Sequence, residues 1–117
     1  MEQAKLREIR FQLHLDQKTF EQFRPIYLRY EQEVSGIDIR NMARLMKVEA
    51  DSLSFEEADR LIVNQLETSK KLIHIREKYY REFRTVLSPQ QIIKLYQTEA
   101  ELRKKVLQEM KRRMMSR

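Results

Sequence analysis

The chain of 117 residues is 36% charged and 41% apolar, with one glycine, two prolines and no cysteine. So little turn-forming material excludes a sheet-based fold, and the missing thiols exclude disulfides, thiolate metal sites and cysteine nucleophiles. The net charge of +6 is unevenly spread: residues 103–117 hold seven Lys/Arg against Glu109, while residues 49–67 hold six acids against Arg60.

The first segment, EQAKLREIRFQLHL, places Leu6, Ile9 and Leu13 on one helical face, with Phe11 and Leu15 nearby. Asp16 follows as an N-cap, because a short side-chain oxygen satisfies the free amides of a second helix. That helix carries Phe20, Phe23, Tyr27, Tyr30, Val34 and Ile37 at alternating steps of three and four, which makes one apolar stripe. Pro25 lies inside it and predicts a kink, since proline has no amide for the turn before it. Helix is expected to about residue 50, with Gly36 as the weak point.

Ser54 and Glu57 match a capping box for a third helix. Its expected inward stripe is Ile62, Leu66, Ile73, Tyr80 and Phe83, widened by Leu61. Leu-Ser-Pro at 87–89 then ends one helix and starts another: Ser88 as N-cap, Pro89 at the first helical position, where a missing amide costs nothing. The fourth helix continues through Ile92, Leu95, Tyr96, Leu102, Val106, Met110 and Met114. The expected fold is all-α and a single domain, an elongated four-helix hairpin or cradle with one short N-terminal helix and three long antiparallel helices.

Composition and spacing also narrow the function. His14 and His74 stand alone on different helices, the acids are dispersed, and no glycine-rich phosphate loop occurs, so the reading is of a protein that is not an enzyme. The methionines Met42 and Met46 fill apolar gaps at this spacing, and no His pair has ligand spacing, so neither a metal site nor a cofactor is expected. The basic runs at 103–105 and 111–113 lack aromatic interleaving, which argues against specific nucleic-acid binding. No apolar run is long enough for a transmembrane segment.

The motifs themselves carry a family resemblance. LSPQQ at 87–91 resembles the LTxxQ motif of the Spy/CpxP superfamily, with Ser88 in place of Thr, and LDQKT at 15–19 resembles its first copy, with Asp16 for Thr and Thr19 for Gln. The flanks FEQFRPIYLRYE and VLSPQQIIKLYQTEAELRKKVL are similar to the branch labelled sensor of extracytoplasmic-function sigma factors. The resemblance implies a dimeric, cradle-like helical protein of the bacterial periplasm, reached through a leader preceding Met1. It implies an ATP-independent chaperone whose partners are unfolded or stress-exposed proteins. Its alternative is an envelope-stress or metal-stress sensor acting through a signalling protein partner.

Motif and capping roles then fall to Leu15, Asp16, Leu87, Ser88, Pro89 and Gln91. Protein binding falls to Arg24, Arg29, Arg40, Arg44 and Lys47, whose charge speeds capture, and to exposed apolar patches formed by off-stripe residues such as Ile26, Leu28, Ile39 and Leu72.

Overall fold

A computed structural model describes residues 2–37 and 44–115. Among the described residues the protein is all-α: α1 (Glu2–Leu13), α2 (Gln17–Ser35), α3 (Phe55–Phe83) and α4 (Pro89–Met115), with a short 3-10 turn at Ala50–Ser52 and no strand. No helix among them is long and apolar enough to cross a membrane. Arg40, Ile39 and Met42 lie outside the described residues.

The corners follow from local hydrogen bonding. At the end of α1, His14 adopts φ 54°, the left-handed region. This lets the Leu15 amide reach the Arg10 carbonyl at 3.1 Å and the His14 amide reach the Phe11 carbonyl at 3.2 Å. That pair of bonds is the Schellman ending, which satisfies carbonyls a helix leaves free. Two residues later Asp16 Oδ1 accepts the Thr19 amide at 2.8 Å and opens α2. At α3, Ser54 and Glu57 cap each other's backbone amides reciprocally, at 3.1 and 3.0 Å. Ser88 and Gln91 do the same at α4, at 3.1 and 2.9 Å, with Pro89 as its first residue.

The helix α2 passes through Pro25 but ends at Ser35; of the expected continuation to residue 50, residues 38–43 lie outside the described residues, 44 and 45 are helical, and 46–49 are not. Glycine is a poor helix former, and here it coincides with competition for carbonyls. The Ser35 hydroxyl donates to the Gln32 carbonyl at 2.9 Å. The amides of Gly36 and Ile37 turn to carbonyls only three residues back, tightening the last turn.

The chain divides into two compact units, Met1–Ile26 with Glu82–Arg117, and Tyr27–Arg81. In the first, Leu6, Ile9, Leu13 and Leu15 are buried together with Phe23, Ile26, Phe83, Leu87, Ile92 and Leu95. There α1 packs on α4, and the Phe23 and Phe83 rings lie 5.7 Å apart. In the second, Tyr27, Tyr30, Ile75 and Tyr79 are buried, and Tyr30 meets Tyr79 edge-on at 5.5 Å.

Two expected stripes need correction. On α3 the inward residues are Ile75, Tyr79 and Phe83, continued toward the N-terminus by half-buried Leu72, Thr68, Gln65 and Leu61. Their steps of three and four define a face one residue away from Ile62, Leu66, Ile73 and Tyr80, which are exposed. The inward face includes two polar side chains, so counting apolar residues alone favours its more hydrophobic neighbour. On α4, burial stops near Thr98 and Leu102, and Val106, Met110 and Met114 are exposed.

Candidate protein-binding surface

Within the first unit, the two motif copies are brought to one core. Leu15 and Leu87 are both buried, and the backbone carbonyl of each accepts an arginine: Arg10 Nε at 3.4 Å for Leu15, Arg84 Nη1 at 2.9 Å for Leu87. Gln91 does more than complete its capping box. Its Nε2 also donates to the Leu13 carbonyl at 3.3 Å, tying the start of α4 to the end of α1. The motif residues are therefore corner-builders, and what they position is the outer face of α1 and α2.

On that face a shallow groove of about 440 Å³ is lined by Gln3, Leu6, Arg7, Phe20 and Arg24. A second hollow of about 350 Å³ adjoins it through Arg7 and is lined by Arg10, Phe11, His14 and Leu15. The floor is apolar, since Leu6 and Leu15 are core residues, while Phe11 stands exposed at the edge. The Arg10 guanidinium lies 5.0 Å from the centre of the Phe20 ring, a cation–π contact that fixes both groups. No carboxylate lines either hollow; Arg7 and Arg24 are exposed beside the apolar surface, and Arg10, half-buried, lies between Phe20 and the Leu15 carbonyl. A larger hollow of about 560 Å³ on the α1–α4 side is different. Glu8 and Glu101 there balance Lys94 and Lys105, and its walls are mostly polar.

Of the residues singled out from the sequence, Arg24 belongs to the cationic groove. Ile26 does not form an exposed patch: it is 9% exposed and part of the core, because its position places it on the same helix face as Phe23 and Tyr30. Leu28 and Leu72 are half-buried rather than exposed. Arg29, Arg44 and Lys47 are exposed but lie in the second unit. Arg44 there joins Arg60 in the positive field that helps hold Glu57 below the usual carboxylate range, after the dominant hydrogen bonds from Ser54. Sequence reasoning missed Arg7, Arg10 and Phe11 as lining groups; Phe20, placed on the aromatic stripe, is half-buried and also lines the groove. The available signal was the run Arg7, Phe11 and His14 at helical spacing, opposite Leu6, Ile9 and Leu13.

The second unit has its own polar cluster. The Tyr79 hydroxyl donates a short hydrogen bond to Glu33, and Lys78 Nζ pairs with the same carboxylate at 3.0 Å. The Tyr79 bond first, then Lys78, holds Glu33 below the usual carboxylate range. These bonds join α2 to α3, so the cluster reads as a structural clasp. Among the described residues no group of three or more His, Asp or Glu could hold a metal ion. Comparison with family models, curated proteins and solved structures finds no match for this chain.

Proposed function

We propose that this chain is a protein-binding module of the envelope-stress kind, an ATP-independent chaperone like those of the Spy/CpxP superfamily, working in the periplasm as a homodimer. One observation supports the reading: two adjoining hollows without a lining carboxylate, one setting Arg7 and Arg24 beside Leu6 and Phe20, the other Arg7 and Arg10 beside Phe11 and Leu15. Such a surface attracts acidic, partly apolar segments of an unfolded chain by long-range charge and then holds them through modest apolar contact. A shallow site of this kind gives fast capture and weak retention, which suits holding without an energy source.

The test is suppression of aggregation of a reduced, unfolding client at stoichiometric protein. The wild-type chain is expected to suppress it, and the double substitution Arg7→Glu with Arg24→Glu is expected to lose most of that activity at unchanged helicity. Suppression that is absent in the wild type sinks the chaperone reading. Selective binding of one protein without general suppression points instead to a sensor that signals through a partner.

A further inference from the structure

Beyond Leu102, α4 runs on through residues 103–115, about 20 Å of helix at 1.5 Å per residue. Every side chain in that stretch is exposed except half-buried Glu109. Charged residues are at home on a solvated helix end, and Lys/Arg also suit the negative end of the helix dipole. The apolar residues there have no such reason: Val106 is 58% exposed, Leu107 61%, Met110 55% and Met114 76%.

Their spacing sorts them onto one side. At 3.6 residues per turn the four fall within a sector of about 100°, and Lys104, Lys105, Gln108, Lys111 and Arg112 occupy the opposite side. Arg103 interrupts the apolar sector at its N-terminal end and Arg113 borders it; an arginine stem lies along apolar surface while its charged head reaches a polar boundary. Residues 103–115 hold six Lys/Arg against a single acid, Glu109. That acid is already engaged, with Arg112 at 2.7 Å and Arg113 at 3.7 Å.

We propose that this end of α4 is an interfacial helix for an anionic lipid surface, lying flat on the bilayer. Val106, Leu107, Met110 and Met114 insert at the boundary between headgroups and acyl chains, and the lysines and arginines meet the lipid phosphates. A lipid surface is the partner that matches both sides of the helix at once. A nucleic acid or an acidic protein matches the cations and leaves the apolar sector uncovered, while a neutral apolar partner leaves the cations unmatched. The contact is peripheral, since no described helix is apolar enough to cross a membrane. With no aromatic side chain in the stretch to anchor it, binding is reversible and weakened by salt. It goes beyond the proposed chaperone activity and does not depend on the cationic groove.

Co-sedimentation of the full chain with vesicles tests it. Binding is expected to vesicles of equimolar phosphatidylcholine and phosphatidylglycerol at low salt, and not to phosphatidylcholine alone. Lys104→Gln with Lys111→Gln is expected to weaken it about thirtyfold, the scale for two cations near an anionic surface. Met110→Gln with Met114→Gln keeps charge and helix propensity and is expected to weaken it at least about tenfold, because apolar insertion is lost. Glu109→Gln is expected to strengthen it about fivefold. The chain has no tryptophan, so Met110→Trp and Gln108→Trp each place a single reporter, on opposite sides of the helix. A blue shift of emission with the anionic vesicles is expected for Met110→Trp and not for Gln108→Trp. Wild type that ignores anionic vesicles, or equal blue shifts at the two positions, overturns the proposal. So does loss with the lysine pair but not with the methionine pair, which identifies a plain polyanion site. A methionine pair that alters only the oligomeric state overturns it in favour of a protein contact.

Discussion

The unit built from both chain termini and the unit built from the middle of the chain hold their helices by different means. In the first, α1, the start of α2 and the start of α4 converge at two corners, and ten aliphatic and phenylalanine side chains are buried there. In the second, among the described residues, burial is confined to the contact of α2 with α3. Its buried residues, among those described, are three tyrosines and Ile75, and α2 and α3 are joined by the polar clasp of Tyr79 and Lys78 on Glu33. Two helices cannot enclose an apolar core, since each has a face left over. The tyrosine solution suits a thin contact: the ring supplies buried area, and the hydroxyl reaches a carboxylate at the edge.

That contrast predicts where the chain breaks most easily. Phe23 is fully buried beside Phe83, and Phe23→Ala is expected to cost about 3–5 kcal/mol in urea unfolding, the range for an aromatic core truncation. Ile73→Ala, measured at a concentration where the chain is monomeric, is expected to stay within about 0.5 kcal/mol, as at other exposed sites. Equal losses at the two positions would erase the distinction between the units.

A smaller effect is expected at the clasp. Tyr79→Phe keeps the ring and deletes the hydroxyl, so the loss is on the scale of one hydrogen bond and well below that of Phe23→Ala. Its signature is pH. The folded protein holds Glu33, Asp16 and Glu57 below the ordinary carboxylate range, chiefly through Tyr79, the Thr19 amide and Ser54 respectively. A depressed folded value means that the stabilisation is present above the unfolded pKa and disappears as pH falls through the folded one. Stability is therefore expected to be flat near neutral pH and to fall below roughly pH 4. In Tyr79→Phe the drop is expected to be shallower, because the largest cause of the Glu33 shift is gone. An unchanged acid slope in that variant would remove Tyr79 from the account.

The corners were legible in the sequence because capping is a local matter. Asp16, Ser54 and Ser88 each need only a backbone amide three residues away, and each finds it. The aromatic stripe of α2 was legible for a similar reason, since Phe23, Tyr27 and Tyr30 have no strong competitor on another face. The helix α3 has two adjacent faces at the same repeat, and which one turns inward depends on tertiary contacts with Tyr30 and Glu33 that no local window contains. The cationic groove was hidden likewise. Arg7 and Arg24 are seventeen residues apart, and only the tight turn at 14–16 places them around one hollow.

The tight turn itself supplies the smallest and cleanest test. His14 sits at φ 54°, where a side chain crowds its own carbonyl and costs about 1 kcal/mol relative to glycine. The Schellman bonds around it involve backbone atoms only, so replacing the imidazole leaves them intact. His14→Gly is therefore expected to raise stability by about 0.5–1 kcal/mol in urea, despite the larger entropy of a glycine in the unfolded chain. His14→Ala, which keeps the Cβ, is expected to bring no gain. A gain of equal size in both variants would mean that the imidazole, rather than the backbone conformation, is what strains the corner. A loss in His14→Gly would show that the ring contributes contacts to the first unit beyond those of its backbone.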